Sequence, residues 1–262
     1  MLTALNLLPG LLMMAVAVIA AGYWYWKKKS KVIYFAAGAL FWVVAIAIKV
    51  IMDLTISQPL YAWLGAALPV DAAVLATGLY LGLRTGILEN GVIYLGTLYS
   101  KLKNMSFDDA VAVGIGFGGI EALILGALSL LTVITILSQP TLYLLMPYSS
   151  QQQFEPLFMF LPVIERIFTL FCHVFATVLT IYAVKLADLK WLGIAFVFKT
   201  LLDGLLLPFE HYLSYLGTYQ FFPIEAFVVI MGCIALAGVY WFGKKYGGAT
   251  AAPEAGNPNP GH

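Results

Sequence analysis

The stretch LTALNLLPGLLMMAVAVIAAGYWYW (residues 2–26), followed at once by KKKSK (27–31), decides the fold of this chain. The first segment carries no charge, and it is longer than the roughly 20 apolar residues that a helix needs to span a bilayer. A secretory signal peptide would carry its basic residues before the apolar run, and its run would be shorter. Here the lysines follow the run, so the pattern predicts a first transmembrane helix whose N-terminal end lies outside.

The composition of the whole chain is typical of a membrane protein. Of its 262 residues, 62% are hydrophobic and 10% are charged, whereas soluble domains carry about 25% charged residues. We therefore predict an all-α polytopic membrane helix bundle, with a single transmembrane domain over residues 1–246 and a flexible cytoplasmic tail over 247–262. The net charge of +1 gives no indication of nucleic-acid binding. The expected partners are membrane lipid and either another membrane protein or a second copy of this chain.

Apolar segments recur along the chain and predict about seven membrane spans, at residues 3–26, 32–54, 70–100, 108–138, 157–186, 190–208 and 222–243. Ten lysines lie in the connecting segments 27–31, 101–107 and 185–190 and after the last span. The intervening segments 55–69, 139–156 and 209–221 contain no Lys or Arg. Because cytoplasmic loops are enriched in Lys and Arg, this distribution predicts an N-out, C-in, multi-pass protein of the plasma (cytoplasmic) membrane.

Four cations fall inside the apolar segments, together with several carboxylates and a histidine. The cations are Lys49, Arg84, Arg166 and Lys199, and the other groups are Glu89, Glu121, Glu165, Asp203 and His173. A charge at this depth costs about 2.5–3.5 kcal/mol on insertion scales, so it is usually paired and often functional. We expect groups from four different helices to converge on one intramembrane site.

Two of these cations have carboxylates close to them in sequence. Lys49 has Asp53 at i+4, so we expect it to pair with Asp53 or to extend its ammonium towards the interface. Arg84 lies about one turn before Glu89, and we expect it to pair with Glu89 or Asp71 or to extend towards the interface as well.

The buried acidic groups and the histidine have two interpretations. A catalytic zinc site uses three protein ligands from His, Asp or Glu and leaves one position for water. The same side chains would also form buried ion pairs, such as Glu165 or Glu121 with Arg166 or Lys199. Because only one histidine lies deep in the membrane, the residues alone favour ion pairs.

Glycines precede Glu121 in the predicted fourth span. Gly114 and Gly118 form a small-xxx-small face, which lets another helix approach closely. The sequence leaves open whether that helix belongs to this chain or to another subunit.

Three motifs around the polar residues resemble a known family. They are GILENGVIY (86–94), GIGFGGIEA (114–122) and IERIFTLFCHV (164–174), and they are similar to the YhfC family of intramembrane metalloproteases in order and spacing. That family belongs with the type II CAAX prenyl proteases and the bacteriocin-processing Abi proteins, to which the APH subunit of γ-secretase is also related. The resemblance implies a seven-helix bundle built around an intramembrane metal site.

The family motifs match this chain at some positions and not at others. The residues that the resemblance retains are Glu89, Glu121, Glu165, Arg166, His173 and Asp203. The positions where the family carries a second glutamate, an arginine and two histidines are here Asn90, Ile93 (or Tyr94), Phe117 and Lys199. A metallohydrolase needs a Lewis-acidic metal and a carboxylate base, and the substitutions remove two of three expected histidines and one of two glutamates.

Three functions follow from these observations, and we favour the first. It is a pseudoenzyme: a non-catalytic scaffold, assembly or substrate-binding subunit in which Lys199 neutralises the carboxylates, with no cofactor expected. The alternative is an active intramembrane metallopeptidase, with zinc near His173, Glu121 and Asp203 and with Glu89 as base. The third is a pathway for an ion or small solute, but the chain lacks the paired Gly/Pro-broken segments typical of transporters.

Overall fold

Helices that could cross a membrane make up most of this chain. In the computed structural model, which describes residues 3–248, seven helices are long and apolar enough to do so: α1 (Ala4–Lys28), α2 (Val32–Ala67), α3 (Val70–Leu98), α4 (Phe107–Ser138), α5 (Leu161–Lys185), α6 (Lys190–Tyr212) and α7 (Ser214–Tyr246). The predicted all-α membrane bundle is confirmed. The N-out, C-in orientation stays a prediction, and most of the predicted tail, residues 249–262, lies outside the described part of the chain.

The helix α2 is longer than the predicted second span. After Met52 it widens into a π-helical turn, Asp53–Ser57, and then continues as Gln58–Ala67. Segment 55–69, predicted as a loop, is therefore mostly helical. Pro59 does not interrupt it, because it lies in the first turn of Gln58–Ala67, where a missing N–H is tolerated. With 36 residues, α2 is about 54 Å long, so its last turns extend beyond a hydrocarbon core of roughly 30 Å.

The other predicted connecting segments also contain helical turns. Segment 139–156 includes two short helices, Thr141–Leu145 and Tyr148–Gln152. It is tied to the start of α1, because Asn6 Nδ2 donates a hydrogen bond of 2.7 Å to the carbonyl of Phe154. Segment 209–221 is split between the end of α6 and a 3-10 turn, Ser214–Gln220, that begins α7.

The helix α5 lies at the centre of the bundle. In the most apolar 18-residue stretch of α5, 67% of the residues are buried. In the other six membrane helices the corresponding share is 22–33%. It packs against α1, α3, α4, α6 and α7. Polar side chains on α5 therefore reach groups on several neighbouring helices at once.

The glycines of α4 allow α2 and α5 to approach it closely on different sides. A Cβ atom on Gly114 would lie 2.6 Å from Val174 Cα, and one on Gly118 would lie 3.1 Å from His173 Cβ. On the other side, a Cβ atom on Gly116 would collide with the backbone carbonyl of Phe35 in α2. The Gly114–Gly118 face therefore packs against α5 within the chain, and this packing places His173 beside α4.

Candidate functional site

The carboxylate of Glu89 on α3 lies between two ammonium groups. Lys49 on α2 donates a hydrogen bond to Glu89 Oε1 over 2.6 Å. The Nζ atom of Lys199 on α6 lies 2.9 Å from Glu89 Oε2. The two groups form an ion pair, although their geometry is not that of a hydrogen bond. All three residues are at most 8% exposed, so both oxygens of this carboxylate are neutralised away from solvent.

A second carboxylate, Glu121 on α4, has three neighbours of its own. Arg166 on α5 pairs with Oε1. The indole N–H of Trp42 on α2 donates to Oε2 over 2.9 Å, and His173 Nε2 lies 3.0 Å from the same oxygen. Arg166 pairs with Glu121 through Nη1, and its Nη2 pairs with Glu165, the preceding residue on α5.

The imidazole of His173 connects these two clusters. Its Nδ1 lies 3.8 Å from Glu89 Oε2, on the side opposite to Glu121. The ring of Phe117 packs beside it, with 5.2 Å between the ring centroids. Residues from α2, α3, α4, α5 and α6 thus form one continuous polar network, which we call the central network: Trp42, Lys49, Glu89, Glu121, Glu165, Arg166, His173 and Lys199.

A comparison with known protein families identifies the class of membrane protein to which this network belongs. The sequence model of the family described as YhfC intramembrane metalloprotease matches residues 12–229. The chain belongs to the YhfC intramembrane metalloprotease family. The matched region of this YhfC-family chain includes every residue of the central network. No curated protein and no solved structure matches the chain.

The structure brings together most of the residues singled out from the YhfC motifs. Glu89, Glu121, Glu165, Arg166 and His173 all lie in the central network. Asp203 is one turn from Lys199 on α6 and is half-buried. Within residues 3–248 its side chain forms no hydrogen bond or ion pair.

The four positions predicted from sequence to depart from the YhfC motif are occupied by well-packed side chains. Asn90 Nδ2 donates to the Gly86 carbonyl over 2.9 Å, and its Oδ1 accepts a hydrogen bond of 3.2 Å from Thr180 on α5. Ile93 and Phe117 are nearly inaccessible, at 2% and 1% exposed, and belong to the main hydrophobic core. Of these four residues, Lys199 takes part in the central network.

The predicted partners of Lys49 and Arg84 are wrong. Lys49 pairs with Glu89 and not with Asp53, whereas Arg84 pairs with Asp53 and not with Glu89 or Asp71. The reason is the π-helical turn of α2, Asp53–Ser57, which lies beside Arg84. The hydroxyl of Ser57, in the same turn, accepts a hydrogen bond of 3.2 Å from the Arg84 guanidinium. Asp71 instead contacts His211 Nε2 at 3.0 Å.

Sequence reasoning missed the contribution of α2 to the central network. Trp42 was not singled out, and Lys49 was expected to pair locally. A signal was available, because Trp42 and Lys49 are seven residues apart and so lie on one face of a helix. Arg166 and His173 have the same spacing on α5.

The central network offers few free ligands for a metal ion. Among residues 3–248, no three His, Cys, Asp or Glu side chains are arranged as a metal-binding group. The imidazole of His173 lies between the carboxylates of Glu89 and Glu121, at 3.8 and 3.0 Å. Each of the two carboxylates is already in contact with at least one fixed cation.

Proposed function

We propose that this YhfC-family protein is non-catalytic, and that it acts in the plasma membrane as a scaffold, assembly or substrate-binding subunit. In this proposal the site that holds a metal in active relatives is occupied by a network of ion pairs. The observation that carries it is the position of Lys49 and Lys199, whose ammonium groups cover both oxygens of Glu89 at 2.6 and 2.9 Å.

The charge balance of the network supports this proposal. The three carboxylates Glu89, Glu121 and Glu165 contribute −3, and the three cations Lys49, Arg166 and Lys199 contribute +3. These six charged groups therefore balance one another without a metal ion. A divalent ion would add two positive charges at low dielectric, where Coulomb interactions are several-fold stronger than in water.

The donor chemistry of the network also fits a zinc site poorly. A catalytic zinc takes three His, Asp or Glu ligands and keeps one position open for water. Lys199 stands where the family motif has a histidine, and a protonated ammonium has no lone pair to offer. A general base must also lie within hydrogen-bond reach of the water that it activates, and Lys49 and Lys199 already cover the oxygens of Glu89.

A second candidate function is favoured by one arrangement. His173 contacts Glu121 at 3.0 Å, and Asp203 has no hydrogen-bond partner within the described residues although it lies one turn from Lys199. An active intramembrane metallopeptidase would use His173, Glu121 and Asp203 as zinc ligands, once Lys199 had moved away from Glu89. Zinc would then supply the Lewis acid that lowers the pKa of a bound water.

The test is to restore the two histidines that the family motif implies. Parent protein and the Phe117→His/Lys199→His variant are purified from zinc-supplemented cells, and zinc per chain is measured by mass spectrometry. We expect no stoichiometric zinc in the parent and a gain in the variant, because the Phe117 ring already packs beside His173. The matched control is Phe117→His/Lys199→Met, which removes the ammonium but restores one histidine only.

The outcomes separate the two functions. Near-stoichiometric zinc in the parent would favour the active metallopeptidase, and a peptidase assay would then come next. No gain of zinc in the double-histidine variant, if its thermal stability matches that of the parent, would contradict the proposal that the network replaces a metal site.

A further inference from the structure

A long apolar groove runs along one side of the bundle, and no residue of the central network lines it. Its volume is about 580 Å³, and its walls are formed by α1 and α7, with α4 and α5 at its base. On α1 the lining residues extend from Leu12 to Trp24, and on α5 from Val163 to Val174. Leu12, Ile19 and Tyr23 are 41–68% exposed, so the groove opens to the lipid-facing surface.

The length of the groove distinguishes between two kinds of apolar occupant. From Leu12 to Trp24, at 1.5 Å per residue, α1 rises about 18 Å. The hydrocarbon core is roughly 30 Å thick, so one leaflet contributes roughly 15 Å. A transmembrane helix of a partner would need a groove through the whole core, whereas one acyl chain of a phospholipid needs only the depth of one leaflet.

Positive charge lies at one end of this groove. Tyr23 lines it, and Lys27 follows at i+4, which places its side chain on the same face of α1. Lys27 is exposed and forms no ion pair within residues 3–248. The neighbouring Lys28 stands 5.4 Å from the Trp24 ring centroid, although Asp108 on α4 partly neutralises it at 3.2 Å.

The aromatic residues at this end mark the level of the lipid headgroups. Tyr and Trp are enriched at the membrane interface, where one side of the ring is apolar and the other is wet. Tyr23 and Trp24 line the groove near the end of the apolar part of α1, and the lysines begin three residues after Trp24. A phosphate at this level would be within reach of Lys27.

We propose that the groove between α1 and α7 is a binding site for an anionic phospholipid. One acyl chain lies along the groove, and the headgroup phosphate is held by the ammonium of Lys27, with Lys28 beside it. This site is separate from the central network and does not depend on whether the protein is catalytic.

The test is a lipid titration of the full-length protein in detergent, followed by native mass spectrometry, with phosphatidylglycerol and phosphatidylcholine as the probes. We expect phosphatidylglycerol to bind more tightly than phosphatidylcholine. Lys27→Gln should weaken phosphatidylglycerol binding about fivefold, the effect of one lysine near an anionic headgroup, and should leave phosphatidylcholine binding unchanged. The control Lys101→Gln, an exposed lysine outside the groove, should change neither.

A second pair of variants tests the groove itself. Ile19 lines the groove and is 68% exposed, whereas Val18 is 62% exposed and is not part of it. Ile19→Trp should therefore reduce binding of both lipids, and Val18→Trp should leave it intact. Equal affinities for the two lipids in the parent, or unchanged phosphatidylglycerol binding in Ile19→Trp, would overturn the proposal. Loss of a protein dimer in Ile19→Trp would overturn it as well, because the occupant would then be a second copy of the chain.

Discussion

Replacing Glu89 by Gln should destabilise this protein strongly, because Glu89 is the shared partner of two buried ammonium groups. The carboxylate is 5% exposed, and Lys49 and Lys199 are 8% and 2% exposed. Removing one member of a buried pair costs about 3–5 kcal/mol, since the remaining charge is left uncompensated. At about 2–4 °C of melting temperature per kcal/mol, we expect Glu89→Gln to lower the melting temperature by roughly 6–20 °C.

The assay is thermal unfolding of the detergent-purified protein, with Glu165→Gln as the matched control. The Glu165 side chain is 32% exposed, and its partner Arg166 keeps Glu121. Because Glu165 is partly exposed and Arg166 keeps a carboxylate partner, no charge is left uncompensated, so the control should melt within a few degrees of the parent. Adding Lys199→Met to Glu89→Gln should recover part of the loss, because it removes one uncompensated ammonium. Equal melting temperatures for Glu89→Gln and Glu165→Gln would refute the reasoning.

Two further predictions concern the packing and the orientation of the bundle. Gly114→Val should lower the melting temperature, because a Cβ there would lie 2.6 Å from the Val174 backbone. Gly65→Val should leave the melting temperature unchanged, because a Cβ there would have no neighbour within 4 Å. Equal effects of the two variants would contradict the close packing of α4 on α5. In a cysteine-free background, a cysteine at Leu145 should react with an impermeant thiol reagent added to intact cells, and one at Lys101 should react only after lysis. The reverse pattern would overturn the N-out, C-in topology.

The number of helices could be predicted from sequence because the signal is strong and local. Runs of apolar residues longer than the bilayer thickness have few alternatives to a spanning helix. The extension of α2 through Asp53–Ser57 to Ala67 was missed. A stretch without Lys or Arg was interpreted there as a loop, whereas a π-helical turn keeps the chain helical past the interface.

The pairing of buried charges could be predicted for Arg166 but not for Lys49. Arg166 was expected to meet Glu121 or Glu165, and it pairs with both. Lys49 was expected to extend towards the interface or to pair with Asp53, because i+4 neighbours interact on a helix surface. In the bundle Lys49 pairs with Glu89 on α3 instead, and no local rule contains that information.

The sequence predicted that a helix approaches the glycines of α4 closely, but not which helix it is. Gly114 and Gly118 indicated a close helix approach, and the structure shows that the neighbour is α5 of the same chain. A partner subunit would therefore have to use another surface. Sequence spacing identifies the small face of a helix, whereas the identity of the helix that fills it depends on the three-dimensional arrangement of all seven.

The central claim is that fixed cations, rather than a metal ion, neutralise the buried carboxylates. Its most direct test is the zinc content of the unmodified protein, purified without chelators, incubated with excess zinc and then dialysed. The account predicts that zinc stays far below one ion per chain, and that Glu121→Gln does not change this value. Zinc near one ion per chain that is retained through dialysis and lost in Glu121→Gln would contradict the account.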